Sequence, residues 1–260
     1  MTMNCENGKA AASDSFLPIK VSLGLNSELW RYGIRETVYM DLSVEPHAVV
    51  LGSTGAGKTY ALGVLLRKIS AREDAALYIA DYKGVDFPAL CGCKRYYRHT
   101  AVGDALDRVY AALQNRMSQG ADSGLSVKSS IVLVIDEWAA FICSLGRTEA
   151  DLRRRQLASL LMLGRGVHIH CILSMQRGDA AYFEKSRDNL GHVLMLGALS
   201  KESLRMWCSS EEAEQIASRP SGRGRGYLKS GTLLTPIAIP AIKNSEKLFS
   251  EIRKALNRDF

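Results

Sequence analysis

The sequence has no long apolar run, and this absence excludes a chain built from membrane-spanning helices. No stretch approaches the roughly 20 apolar residues that cross a bilayer. Residues 1–7 have neither the basic start nor the apolar core of a secretory signal. Hydrophobic residues make up 47% of the chain and charged residues 23%, which is ordinary for a soluble globular protein. We therefore expect a cytoplasmic protein with a packed core and no membrane segment of its own.

Cysteine is sparse as well. The six cysteines are scattered, and only Cys91 and Cys93 lie close together. The sequence has no second close pair of cysteines at the spacing of a zinc site, so a structural metal is not expected. Reduced thiols in a cytoplasmic protein are the simpler interpretation.

Long blocks of like charge are also missing, which argues against a disordered charged tail. The chain still has a net charge of +7, and its Arg and Lys residues are dense between Arg147 and Lys229. This excess of positive charge favours a polyanionic partner, but charge alone does not identify one.

Residues 52–59 carry the most informative pattern of the chain. They read Gly-Ser-Thr-Gly-Ala-Gly-Lys-Thr and fit G-x-x-x-x-G-K-[ST], the phosphate-binding loop. The apolar run at 48–51 predicts a buried strand before the loop, and 60–69 has the apolar spacing of a helix. Such an arrangement aims backbone N–H groups and a positive helix end at a phosphate chain. The alternative, a glycine-rich turn, does not explain the strand and helix on either side.

The loop predicts a site for ATP and Mg²⁺. Lys58 would reach the β- and γ-phosphates, and the hydroxyl of Thr59 would ligate Mg²⁺. The predicted nucleotide-binding residues are Gly52, Ser53, Thr54, Gly55, Ala56, Gly57, Lys58, Thr59 and Tyr60.

The strongest predicted strand, 131–135, ends in the acidic pair Asp136-Glu137. Phosphate-loop NTPases hold Mg²⁺ with a carboxylate at such a strand end, and an acid directly after it can polarise the attacking water. Asp136 is therefore the predicted Mg²⁺ carboxylate and Glu137 the predicted general base. The alternative is a solvated acidic pair at the start of a helix.

Gln176 ends the next predicted strand. An amide at that tip can sense the γ-phosphate and position water, so we predict a catalytic role. An ordinary polar residue at a strand end is the alternative.

Strands alternate with helices along the chain, which predicts an α/β fold with a mostly parallel central sheet and helices on both faces. Predicted strands lie within 19–44, at 48–51, 76–80, 131–135, 168–174 and 192–196, and within 226–240; predicted helices follow the phosphate loop and cover 103–117, 148–163, 200–208 and 244–257, with a loop at 118–130. The strand at 76–80 leaves room for another strand between the phosphate-loop strand and the Asp136 strand, as in RecA-like P-loop NTPases of the catalytic-glutamate branch. We expect one such domain over 19–260, after a flexible lead-in at 1–18.

Six segments in one order carry a family resemblance. They are Val21-Ser22-Leu23-Gly24, the lead-in 46–52, Asp81-Tyr82-Lys83-Gly84-Val85-Asp86-Phe87, the stretch 163–170, Ser174-Met175-Gln176-Arg177, and Gly224-Arg225-Gly226-Tyr227-Leu228. Together they resemble the FtsK/SpoIIIE branch of the HerA–FtsK superfamily of DNA-pumping ATPases, with Tyr82 in place of the proline of an Asp-Pro-Lys-Gly segment. His168 and Gly178 also depart from the family's usual glycine and proline.

The resemblance implies a homo-oligomeric ring, usually a hexamer, with ATP sites between subunits and double-stranded DNA in the channel. It places Arg165 where a neighbouring subunit supplies an arginine finger. Arg153, Arg154 and Arg155 are alternatives, unless they form a solvated basic helix face. Asn189 is expected to have a structural or interface role.

A translocase that tolerates any DNA sequence contacts mainly phosphates. The candidate contacts are Arg177, Lys185, Arg187, Lys94, Arg95 and Arg98. The last three flank Tyr96 and Tyr97, and a half-buried tyrosine strand with solvated basic neighbours is an equal alternative.

Large members of the family carry membrane helices before the motor and a winged helix after it, and we expect neither here. The resemblance then implies a short motor of the mobile-element type, serving conjugative transfer or packaging with a possible relaxase or membrane transfer-channel partner. A type VII-like protein-secretion motor and a non-translocating nucleotide-binding scaffold are the alternatives.

Overall fold

A ten-stranded sheet forms the centre of the computed structural model, which describes residues 18–123, 129–218 and 222–260. The strands are β1 (Lys20–Asn26), β2 (Thr37–Asp41), β3 (Ala48–Gly52), β4 (Ala75–Asp81), β5 (Tyr96–Arg98), β6 (Ser130–Asp136), β7 (Ile169–Met175), β8 (His192–Leu196), β9 (Arg225–Ser230) and β10 (Leu233–Ala238). Their spatial order is β2-β1-β10-β9-β8-β3-β7-β6-β4-β5. The predicted lead-in at 1–18 falls almost wholly outside the described residues.

The six strands from β8 to β5 are parallel, and the four strands from β2 to β9 extend the sheet in antiparallel fashion. Every residue of β3, β6, β7 and β8 is buried, which is how parallel strands covered on both faces pack. The predicted α/β fold with a mostly parallel sheet is confirmed.

Helices cover both faces of the sheet. They are α1 (Lys58–Ser70), α2 (Val102–Ser123), α3 (Trp138–Ser144), α4 (Arg147–Leu163), α5 (Lys201–Arg205), α6 (Ser210–Ala217) and α7 (Ser245–Asn257). Because side chains alternate along a strand, Val50 of β3 belongs to the core that includes α1 and α7, whereas Val49 belongs to the core that includes α2, α3 and α4. Of the helices in the described part of the chain, none is long and apolar enough to cross a membrane.

One strand separates the phosphate-loop strand from the Asp136 strand, as expected. That strand is β7, which bears Gln176 just beyond its end, and the predicted strand at 76–80 is β4 on the far side of β6. The order therefore matches the predicted RecA-like arrangement, and it brings the ends of β3, β7 and β6 side by side.

Three local predictions were wrong or incomplete. The loop predicted at 118–130 begins too early, because α2 continues to Ser123. The short α3 and α6 were not predicted. The sequence does carry a signal for α6, because Ser209 and Glu212 form a capping box in which each side chain accepts from the other's backbone N–H.

Candidate functional site

The phosphate loop joins β3 to α1 in a conformation that depends on glycine. Gly55 and Gly57 have positive φ angles of 82° and 102°, which residues with a Cβ rarely adopt. A Cβ on Gly57 would lie 3.0 Å from the backbone nitrogen of Gly224, and that same N–H donates to the carbonyl of Ala56 at 3.0 Å. The loop is thus packed against the turn before β9.

Lys58 is the first residue of α1 and is buried in the loop. Its Nζ donates to the carbonyl of Gly52 at 2.8 Å and lies 3.6 Å from Oε1 of Glu137. The predicted phosphate-binding lysine therefore lies beside the predicted general base.

Three aspartates converge next to the loop. The carboxylates of Asp81, Asp86 and Asp136 each place an oxygen within 4.8 Å of the others. Thr59 Oγ1 donates to Asp86 Oδ1 at 3.2 Å, so the predicted Mg²⁺ hydroxyl belongs to the same group. An all-oxygen set of carboxylates and a hydroxyl suits Mg²⁺, and Thr59 and Asp136 are the residues that would hold it.

Asp136 ends β6 and is 3% exposed. Burial raises the pKa of Asp136 to about 6, although the hydrogen bond from Ser174 acts in the opposite direction. That bond, from Ser174 Oγ to Asp136 Oδ1, is 2.6 Å long. Nearby carboxylates add to the rise, since like charges disfavour the ionised form.

Glu137 occupies the turn between β6 and α3 with a left-handed backbone, φ 56°. Its side chain is 4% exposed, and Lys83 Nζ donates to its Oε1 at 2.6 Å. Burial by itself would lower the pKa of Lys83, but Glu137 and the neighbouring aspartates raise it above its ordinary value. The alternative of a solvated acidic pair does not fit, because both Asp136 and Glu137 are buried.

Gln176 directly follows β7 and is exposed at the same edge of the sheet. Its strand, β7, lies between the strands that carry the phosphate loop and Asp136. Its catalytic role stays a prediction.

Arg165 lies in a 3-10 turn, Gly164–Val167, just before β7, and is exposed. Because β3 and β7 run parallel, this turn is at the opposite edge of the sheet from the phosphate loop. Arg165 therefore does not meet the site of its own chain, and a finger role stays a prediction that requires a second subunit.

Two of the alternative arginine fingers, Arg153 and Arg154, form ion pairs within the chain. Arg153 pairs with Asp107 and Glu149, and Arg154 pairs with Asp151 and Glu184. Arg155 is exposed on the same helix.

The lining of the cleft also includes apolar residues. The whole cleft has a volume of about 400 Å³, and its apolar wall consists of Tyr60, Phe87, Ile242, Leu248 and Phe249. Such a wall can pack against a flat ring. These residues come from α1, α7 and two connecting segments, so no local pattern in the sequence joins them.

Sequence reasoning also missed several polar residues of the site. Lys83, Asp86 and Arg223 line the cleft, and Ser174 holds Asp136. Lys83 and Asp86 belong to the segment quoted for the family resemblance, which was the available signal. Arg223 carried no signal of its own.

Two members of the basic and aromatic cluster at 94–98 have structural roles. Arg95 donates to the carbonyls of Leu77, Ala255 and Arg258, and the hydroxyl of buried Tyr96 donates to Asp81 at 2.9 Å. The half-buried tyrosine strand thus fits better than a DNA-binding loop. Of the other candidate DNA contacts, Arg177 pairs with Asp179 and Glu202.

A family model described as "Helicase HerA, central domain" matches residues 29–104, which include the phosphate loop. Among curated proteins, the chain is 25% identical over 224 residues to the FtsK domain-containing protein YdcQ of Bacillus subtilis, covering 81% of this chain and 46% of that protein. It is 26% identical over 167 residues to DNA translocase FtsK of Borreliella burgdorferi, covering 55% of this chain and 21% of that protein. The chain thus spans less than half the length of these relatives.

Solved structures share the fold. The pCW3 conjugation coupling protein TcpA with ATPγS has a TM-score of 0.73 and 21% identity, covering 90% of this chain and 70% of that one. Thermomonospora curvata EccC, ATPases 2 and 3 with a signal sequence peptide, has a TM-score of 0.68 and 20% identity, covering 94% of this chain and 48% of that one. The family model and the curated relatives identify a HerA/FtsK-type domain in the chain, and the solved structures show that its fold is shared.

Proposed function

We propose that this domain is an ATP-driven motor that moves double-stranded DNA, working as a ring of identical subunits in conjugative transfer or packaging of a mobile element. The observation that carries the proposal is the convergence of Lys58, Thr59, Asp136 and Glu137 at one edge of the sheet.

Each of these side chains has a defined task in ATP hydrolysis. Lys58 moves from the carbonyl of Gly52 to the phosphate chain, which also receives the loop N–H groups. Thr59 and Asp136 would hold Mg²⁺, which would supply positive charge to neutralise the phosphates. Glu137 accepts a proton from the attacking water, and Gln176 orients that water from the end of β7. The apolar wall of the cleft packs against the base.

Charge and relatives support DNA as the substrate. The net charge of +7 suits a polyanion, and one relative is named a DNA translocase while a structural neighbour is a conjugation coupling protein. The exposed Arg165 at the opposite edge suits a finger that completes the site of a neighbouring subunit in the ring.

A motor that acts on protein is the second candidate. The observation in its favour is the similarity to EccC, whose structure was solved with a signal sequence peptide. The positive net charge favours DNA over this candidate.

The test is ATP turnover by the purified protein with and without linear double-stranded DNA. We expect DNA to stimulate turnover, and Glu137→Gln to lower it by roughly 10²-fold or more, the usual contribution of a general base. Glu73→Gln is the matched control, because Glu73 is an exposed acid on the connection before β4.

Three results contradict the proposal in different ways. If DNA does not change the rate of ATP turnover, the motor that acts on protein becomes the favoured candidate. Turnover that survives in Glu137→Gln removes the assigned base. Absence of turnover by the unmodified protein favours a nucleotide-binding scaffold.

A further inference from the structure

The segment 81–87, which begins at the last residue of β4, contacts both Glu137 and Thr59. Lys83 Nζ donates to Oε1 of Glu137 at 2.6 Å, and Asp86 Oδ1 accepts from the hydroxyl of Thr59 at 3.2 Å. Both contacts lie in the nucleotide cleft, which Lys83 and Asp86 line. Neither residue takes part in the tasks proposed for Lys58, Thr59, Asp136 and Glu137.

The segment is held firmly at both ends. At its start, the carboxylate of Asp81 accepts the N–H of Gly84 at 2.8 Å and the hydroxyl of Tyr96 at 2.9 Å. At its end, Phe87 is 2% exposed in the core. Side chains anchored in this way hold a position without paying ordering entropy during the reaction.

Gly84 leaves the segment little freedom to shift. Its φ is +68°, and a Cβ there would lie 2.4 Å from the ring of His99. His99 Nδ1 in turn lies 3.2 Å from the carbonyl of Tyr82. The backbone on both sides of Lys83 is therefore tied to neighbouring elements.

Two lysines contact Glu137 among the described residues, and they differ in what a nucleotide would do to them. Lys58, at 3.6 Å, lies in the phosphate loop and is needed by the phosphate chain. Lys83, at 2.6 Å, is on a separate segment and has a side chain that is 40% exposed. When phosphates draw Lys58 away, Lys83 is the cation that stays with the buried carboxylate.

We propose that Lys83 is a positioning residue for Glu137. Its charge-assisted hydrogen bond holds the carboxylate at the place from which Glu137 acts on water, and Asp86 on the same segment orients Thr59. The inference rests on the proposed ATP hydrolysis and adds a residue to it.

The test compares Lys83→Met and Lys83→Arg with the unmodified protein, using steady-state ATP turnover and direct titration with a fluorescent ATP analogue. A positioning role predicts that Lys83→Met lowers kcat by roughly 10-fold or more, a part of what a general base contributes. The affinity for the analogue should change by less than about 3-fold, because the phosphates are held elsewhere. Lys83→Arg keeps a donor and a charge and should recover part of the lost kcat.

Lys68→Met is the matched control, since Lys68 is an exposed lysine on α1, and its kcat should stay at the unmodified value. Unchanged kcat in Lys83→Met overturns the proposal. A loss of analogue affinity that matches the loss of kcat also overturns it, because Lys83 would then bind the nucleotide itself. If Glu137→Gln abolishes turnover while Lys83→Met does not, only this inference fails; if the unmodified protein does not hydrolyse ATP, the proposed function fails and this inference with it.

Discussion

At the residue scale, the site depends on backbone conformations that most side chains avoid. Glu137 has a φ of 56° at the turn from β6 to α3, and such strain costs about 1–3 kcal/mol and is concentrated at functional sites. The left-handed turn directs a buried carboxylate toward Lys58 and Lys83. Gly57 has a similar importance in the phosphate loop, because its backbone must both turn and pass close to Gly224.

Gly57→Ala should lower the Tm of the nucleotide-free protein more than Gly55→Ala. Both glycines have positive φ, but a Cβ meets the Gly224 backbone only at position 57, and open space surrounds position 55. We expect a difference of about 1–3 kcal/mol, the usual cost of overpacking, which corresponds to roughly 2–12 °C in a domain of this size. Differential scanning fluorimetry measures it, and equal Tm losses would refute the packing argument.

At the scale of elements, the last helix, α7, lines the nucleotide cleft and is hydrogen-bonded through Arg95 to the sheet. Leu248 and Phe249 of α7 line the cleft, and the C-terminal end of α7 is held by Arg95, whose guanidinium donates to the carbonyls of Ala255 and Arg258 at 2.7 Å each. Arg95 also donates to Leu77 in β4 at 3.1 Å. Arg95, a candidate DNA contact in the sequence, thus holds α7, the helix that contributes Leu248 and Phe249 to the apolar wall.

Arg95→Met should loosen the end of α7. Replacing the guanidinium removes a charged donor from the carbonyls of Ala255 and Arg258, which costs about 1–3 kcal/mol. We expect a lower urea midpoint and faster hydrogen exchange across 250–257, measured by mass spectrometry. Arg98→Met in the adjacent strand β5 is the control, because Arg98 is exposed, and equal effects of the two variants would contradict the assignment.

At the scale of the whole molecule, the two edges of the parallel sheet have different chemistry. The carboxyl edge carries the phosphate loop and the acidic cluster. The amino edge carries buried His47 and His170, with His47 Nδ1 accepting the N–H of Cys171 at 3.0 Å and His170 Nδ1 lying 3.1 Å from the carbonyl of Pro46. Burial lowers the pKa of His47 to about 3 and that of His170 to about 4.

The free energy of unfolding should therefore fall as the pH drops below about 6.5, the pKa of histidine in the unfolded chain. Both histidines are neutral in the folded state above that pH, and the unfolded chain binds protons first as the pH falls from 6.5 toward 4 and 3. Asp136, with its raised pKa, acts in the opposite direction below about 6, but two histidines outweigh one carboxyl. Urea unfolding at pH 7.5, 6.5 and 5.5 tests this, and a stability that is constant or rises on acidification would disprove it.

Elements and motifs with local signals could be predicted from the amino-acid sequence. The glycine spacing of 52–59, the apolar strand before Asp136 and the alternation of strands and helices all follow from neighbouring residues, and the structure has the corresponding strands and helices. The contacts between distant side chains, in contrast, depend on how the chain folds in three dimensions. Lys83 reaches Glu137 across 54 positions, and the apolar wall combines α1 with α7, because strand order and helix packing set those distances and neither is encoded by any short segment. For the same reason Arg165 proved to lie at the edge opposite the phosphate loop, where a motif match alone could not place it.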